Sequence, residues 1–262
     1  MSEPRGYVSS DYLQITAKVT EQVKRRSYVA MGIGPGQKVL DVGCGPGTDT
    51  IPLAQLVGDG GRVVGVDWDQ EMIDEANRKA MEAGVSPIVA HKRGDATALP
   101  FDSGEFDSCR SERLFQHLHN PEATLSEMVR VTKRGGWVVV VDTDWGTASI
   151  DTSEEDIERR LARVQAERCL NNGYSGRQLY RLFRTESLDS LVLEAFALPV
   201  LSYPLARKIG RYDIIEREAL SDGVVTAEEL DLLHANLEHL EAEGTFFSMA
   251  SMVLVGGRVP EK

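Results

Sequence analysis

The sequence predicts an α/β fold, a doubly wound and mostly parallel sheet carrying a helical cap, and three observations lead there. Short, nearly continuous apolar runs at 39–42, 62–67 and 137–141 read as strands covered on both faces. Segments of helical periodicity lie between them. Glycine clusters at the ends of these runs, Gly43, Gly45 and Gly47 above all, mark sharp turns where the backbone takes positive φ or lets another molecule approach closely.

Composition sets the outer limits. A chain of 262 residues with 42% hydrophobic content can build one large domain plus a cap. The net charge of -12 argues against unassisted binding to nucleic acid or anionic membranes and favours a neutral or cationic small molecule. Cys44, Cys109 and Cys169 lie far apart without metal-ligand spacing, so neither a zinc site nor a disulfide framework is expected. No apolar run reaches the roughly 18 residues of a membrane span, and the N-terminus is polar, so a cytoplasmic protein in a reducing compartment is expected.

The elements follow in order. Residues up to about Ser27 read as one helix, with Leu13, Ile15, Val19 and Val23 on its apolar face and Lys18, Glu21, Lys24 and Arg25 elsewhere. Placed over the glycine turn, Tyr7 and Tyr12 either close over a ligand or pack the helix onto the body. After the strand at 38–42 and the glycine turn, a helix at 51–57 ends at Gly58, Gly60 and Gly61. The strand at 62–67 ends in Asp67, placed either to accept both hydroxyls of a ribose or to cap the helix at 71–83. Trp68 offers an apolar face to a flat ring. A third unit runs through 88–90 to Gly94, Asp95 and Ala96, so the glycine turn, Asp67 and Asp95 share the rim where open α/β sheets bind ligands.

Val-Leu-Asp-Val-Gly-Cys-Gly-Pro-Gly from Val39, Val-Val-Gly-Val-Asp ending at Asp67 and Gly-Asp-Ala-Thr-Ala-Leu-Pro-Phe from Gly94 together resemble the class I S-adenosylmethionine-dependent methyltransferases, in their small-molecule, UbiE-like branch. The resemblance spans about 39–146 and includes Phe106-Asp107-Ser108 and the segment 125–141. Lys133-Arg134-Gly135-Gly136 departs from the usual Arg-Pro-Gly-Gly. The resemblance implies a seven-stranded Rossmann-like sheet with S-adenosylmethionine as cofactor. Gly43, Cys44 and Gly45 would approach its methionine part, Asp67 and Trp68 its ribose and ring, and Asp95 with Ala96 its adenine, while Asp41 orders the turn. Tyr12, Ser111 and Gln116 complete the cofactor-binding set.

Chemistry is expected beyond the fourth strand at 106–110, where His117 stands either as general base or as packing for the cofactor. His119 reads as a solvated loop residue. The fifth strand at 137–141 delivers Asp142, Asp144 and Trp145 to the same rim, where Asp144 is favoured to orient His117 or bind an amine-bearing acceptor and Trp145 could stack on a flat one. Past Gly146, helices at 153–170 and 174–183 precede a strand at 191–201 and a last one at 246–255. The insertion 205–244 reads as a helical cap, with capping-box spacing at Thr226 to Glu229 and an apolar stripe of Leu230, Leu233, Leu237 and Leu240. The expected divisions are 1–36 as lid, 37–150 as cofactor core and 151–262 as the rest of the sheet with its cap. The reading is methyl transfer to a small molecule, a secondary metabolite or quinone-like compound. The alternatives are a non-methylating protein that binds the same cofactor and an NAD-dependent oxidoreductase, although the third glycine falls one residue early for the latter.

Overall fold

In the order they leave the sequence, the strands are β1 (Lys38–Val42), β2 (Arg62–Asp67), β3 (Val89–Arg93), β4 (Phe106–Glu112), β5 (Thr132–Ile150), β6 (Asp189–Val200) and β7 (Ser248–Arg258). They form one seven-stranded sheet in the spatial order β3-β2-β1-β4-β5-β7-β6. The first five are parallel, and β7 runs antiparallel between β5 and β6. The computed structural model describes residues 10–261, with side chains from Tyr12 onward, and Tyr7 lies outside this range.

Continuous apolar runs supply both faces of the sheet. Leu40, Val42, Val64, Val66, Val138 and Val140 pack one way, while Val39, Val63, Val139 and Val141 pack the other. The direction of winding reverses between β1 and β4, which opens a crevice beyond their carboxyl ends.

The helices are α1 (Ser10–Val19), α2 (Glu21–Ala30), α3 (Thr50–Val57), α4 (Gln70–Glu82), α5 (Pro121–Val131), α6 (Glu155–Arg168), α7 (Ser175–Thr185), α8 (Tyr203–Gly210), α9 (Tyr212–Ser221) and α10 (Ala227–Ala242). The expected single N-terminal helix is two, because the chain leaves helical geometry at Thr20. The break turns Lys24 inward, and the residue assigned to the polar face is buried. Between β6 and β7, α8, α9 and α10 form the cap. Thr226 and Glu229 make the reciprocal capping box, and Leu230, Leu233 and Leu237 are buried in a third core cluster.

β5 extends well beyond the expected 137–141, because β7 pairs with it as far as Ile150. The ladder slips between Asp144 and Ser149, and this bulge turns Trp145 and Ala148 toward the cavities beneath the cap. Among the described residues, no helix is long and apolar enough to cross a membrane, and no group of three or more His, Cys, Asp or Glu is placed to hold a metal ion.

His91 on β3 supports the glycine turn from below. Its Nε2 meets the Thr50 hydroxyl at 2.8 Å, and its Nδ1–H donates to Asn77 Oδ1 at 3.0 Å. Burial lowers its pKa to about 4, so the fold holds the neutral ring. An unfolded chain takes up that proton nearer the ordinary value of about 6.5. The contribution is therefore complete above about 6.5 and lost as pH falls toward 4. His91→Gln is expected to flatten the loss of thermal stability over that window relative to the parent, as read by melting curves at successive pH values.

Candidate functional site

The turn after β1 is shaped by backbone bonds before any side chain acts. The amides of Gly43 and Cys44 both donate to the Val66 carbonyl, at 2.7 and 3.0 Å, tying the turn to β2. Gly43 takes φ 73°, and a Cβ there would stand 3.0 Å from the Leu114 side chain, so glycine answers both a left-handed backbone and a close approach. Gly45 repeats the left-handed conformation, with Leu13 of α1 folded across it. The N-terminal helix covers the turn as the sequence suggests.

Asp67 fastens the far side. Its Oδ2 accepts from the Gly45 amide at 2.8 Å and its Oδ1 from the Asp69 amide at 3.1 Å. Burial raises its pKa, while these two amides favour the charged form. The helix-capping role open to Asp67 in the sequence belongs to Asp69, whose carboxylate accepts from Glu71 N at 2.9 Å.

A cavity of about 460 Å³ opens at this crevice. Of the expected cofactor residues, Tyr12, Gly43, Cys44, Gly45, Asp67, Trp68 and Gln116 line it, and so does His117. Asp41, Asp95, Ala96, Ser111 and Asp144 are not among the lining residues. The Asp95 carboxylate is exposed and turned back on Thr97, accepting from its amide at 2.8 Å and its hydroxyl at 2.7 Å, which lowers its pKa. Ala96 packs against the core, and the Ser111 side chain is buried in β4.

The expectation for Asp144 is corrected. Its carboxylate pairs with Arg177 of α7 at 2.6 Å and accepts from Gly146 N at 3.2 Å, so it anchors α7 to β5 rather than orienting His117. Asp142 holds the histidine turn instead. Its Oδ2 accepts from the backbone amide of Gln116 at 3.0 Å, and burial raises its pKa to about 7 against the pull of its two amide donors. The short 3₁₀ turn Phe115–His117 is also gripped from the other side, where Asn171 Nδ2 donates to His117 O at 2.7 Å and Asn172 N to Gln116 O at 2.9 Å.

His117 sits at the end of a relay. Trp145 Nε1–H donates to Gln116 Oε1 at 2.8 Å, which turns the Gln116 amide Nε2–H toward His117 Nε2 at 3.0 Å. That bond assigns the ring proton to Nδ1. Burial first, then the charges of Arg113 and Arg211, lower the pKa of His117 to about 4. The ring is neutral near pH 7, and the nitrogen that would accept a proton already accepts a hydrogen bond.

Beneath the turn lies a buried ionic cluster with no periodic trace in the sequence. Lys24 Nζ stands 2.7 Å from both Asp49 and Glu112. Arg110, fully buried, reaches Asp41 at 3.1 Å, Asp49 at 3.2 Å and Glu112 at 2.8 Å. Tyr28 donates its hydroxyl to Asp49. Burial opposes charge on Asp49, but Arg110 and Lys24 hold it below the usual carboxylate range, whereas burial wins at Asp41 and lifts it to about 7. Asp41 enters this cluster through Arg110, below the cavity. Lys24, Asp49 and Glu112 also line the cavity.

Residues 39–136 match the family model of a methyltransferase domain. Over 86% of its length the chain is 34% identical to an uncharacterized 37.1 kDa protein in transposon TN4556 of Streptomyces fradiae, of which it covers 64%. It is 35% identical to the demethylmenaquinone methyltransferase of Staphylococcus saprophyticus over 48% of this chain and 53% of that protein. The chain thus spans between about half and two thirds of the length of these relatives. Its fold is similar to the crystal structure of a putative methyltransferase from Bacillus halodurans, with a TM-score of 0.64 and 19% identity over 91% of this chain and 99% of that one.

Proposed function

We propose that this chain, whose residues 39–136 match a methyltransferase domain, is a class I S-adenosylmethionine-dependent methyltransferase that transfers the methyl group of S-adenosylmethionine to a small-molecule acceptor. The observation that carries this is a single cavity lined by the glycine turn, by Asp67 and by a neutral histidine. The residues fit the cofactor: Gly43 and Gly45 line the cavity with bare backbone, and Asp67 at the rim retains acceptor capacity beyond its two amide bonds. When bound, S-adenosylmethionine supplies a methyl carbon already activated by sulfonium. What remains for the protein is to position the acceptor, exclude water and govern one proton.

Tyr12 serves the enclosure. Its hydroxyl donates to Ile209 O at 2.7 Å, which ties α1 to α8 and roofs the cavity. His117 acts as a positioning residue: held by Gln116 and Trp145, it presents a neutral ring whose Nδ1–H is a donor. A demethylmenaquinone methyltransferase among the relatives makes a quinone-like compound or a secondary metabolite a reasonable acceptor.

His117→Ala is expected to lower turnover by more than about tenfold while affinity for S-adenosylhomocysteine stays within about twofold. Because the ring ionises near 4, parent turnover should show no inflection from it between about pH 6 and 8. An inflection in that window, absent from His117→Ala, would show a base. Release of S-adenosylhomocysteine in the presence of an acceptor panel tests the transfer itself. Binding of S-adenosylmethionine with no methyl transferred to any member would favour the non-methylating reading.

A further inference from the structure

A second cavity, of about 100 Å³, adjoins the first beneath the cap, where α1, α6, α8 and α9 meet β5, β6 and β7. Its wall is chiefly apolar, with Val19, Leu161, Leu198, Ile209, Ile215 and Met252 among the lining side chains. Its two carboxylates are already engaged. Glu158 accepts from Ile150 N at 3.1 Å and pairs with Arg159, while Glu216 is held by Arg207 at 2.6 Å and by His234 at 2.9 Å.

Tyr12, Arg113, Trp145 and Gln165 line both cavities and so mark the passage between them. Arg113 is the cation at that passage. Only 13% of its side chain is exposed, and Glu112 lies 3.7 Å away. Glu112 also faces Lys24 at 2.7 Å and Arg110 at 2.8 Å, so three cations draw on one carboxylate. Nε of Arg113 has no hydrogen-bond partner among the described residues. The backbone of Arg113 is held left-handed at φ 54°, an arrangement that persists where the surroundings fix it and that is common at functional sites. Arg211, likewise left-handed at φ 58°, lines the cofactor cavity, and its charge is felt at the same Tyr12 and His117 as that of Arg113.

We propose that the acceptor is an organic anion with an apolar body, its ionised oxygen held at the passage by Arg113, with the charge of Arg211 added from the cofactor cavity, and its body in the apolar chamber. This rests on the methyltransferase reading and narrows its substrate class. The Arg113 guanidinium, largely withdrawn from water with its Nε unpartnered among the described residues, lacks a full complement of acceptors, and an ionised oxygen supplies charge and paired acceptors together. The net charge of -12 points to a neutral or cationic ligand, but bulk charge acts at a distance and is screened beyond roughly 10 Å, whereas the passage acts at contact. An acceptor that arrives ionised leaves no proton for His117 to take, in keeping with an imidazole already engaged by Gln116.

The test uses the full chain saturated with S-adenosylhomocysteine, titrated by calorimetry and by tryptophan fluorescence, since Trp145 lines both cavities. Octanoate is compared with octanamide and octylamine, and 4-nitrophenolate serves as a phenolate arm that separates carboxylate from aryl-oxide recognition. Octanoate, 4-nitrophenolate or both should bind at least tenfold more tightly than the amide and the amine. Arg113→Met should abolish that preference and Arg113→Lys retain most of it, with Arg211→Gln, between α8 and α9, as a second variant. The proposal is overturned if octanamide or octylamine matches the anions, if the preference survives both Arg113→Met and Arg211→Gln, or if neither anion binds at millimolar concentration. Failure to bind S-adenosylhomocysteine in the first step would instead refute the methyltransferase reading.

Discussion

Asp67→Ala is expected to weaken S-adenosylhomocysteine binding by about ten- to a hundredfold, the loss that corresponds to one or two hydrogen bonds made to a charged group. Two effects add. The carboxylate at the end of β2 is the proposed ribose acceptor, and it also accepts from the Gly45 amide that closes the glycine turn. Asp67→Asn retains a carbonyl oxygen for Gly45 and should fall between the parent and the alanine variant. Calorimetric affinities, taken beside thermal melts that show each variant folded, check the order. Equal affinity in all three proteins would remove Asp67 from the site.

The second large effect falls on stability. Arg110→Met should cost about 3–5 kcal/mol, because it leaves Asp41, Asp49 and Glu112 buried with Lys24 between Asp49 and Glu112 and Arg113 beside Glu112 as the remaining close cations. For a chain of this size the melting temperature should drop by on the order of 10 °C. Adding Asp49→Asn removes one of the abandoned charges and is expected to recover part of the loss, which scanning calorimetry of the single and double variants would resolve. A melting temperature within about 2 °C of the parent for Arg110→Met would contradict the account of the cluster.

The sheet was readable because its strands are local and strongly patterned: 39–42 and 62–67 carry their own apolar runs and are punctuated by glycine. The capping box at Thr226 was readable for the same reason, since its two members lie three residues apart. The glycine turn, Asp67, Gln116 and His117 line one cavity. Partnerships between residues far apart in the chain were not legible. Lys24 looks like a solvent residue on a continuous helix, and only the break at Thr20 and the carboxylates of Asp49 and Glu112 draw it inward. Asp144 and Asp142 alternate on one strand, and the sequence favours Asp144. Arg177, 33 positions beyond Asp144, and the Gln116 amide decide which of them holds the histidine turn. The extension of β5 depends on β7, which pairs with it from far downstream in the chain, and with it the bulge that places Trp145 at the passage.

Calorimetric titration of the parent protein with S-adenosylhomocysteine, repeated with NADH, tests the central claim most directly. The account predicts a saturable, one-to-one heat with S-adenosylhomocysteine, weakened at least tenfold by Asp67→Ala, and no saturable heat with NADH. A folded parent that gives no saturable heat with S-adenosylhomocysteine, or that binds NADH in its place, would contradict it.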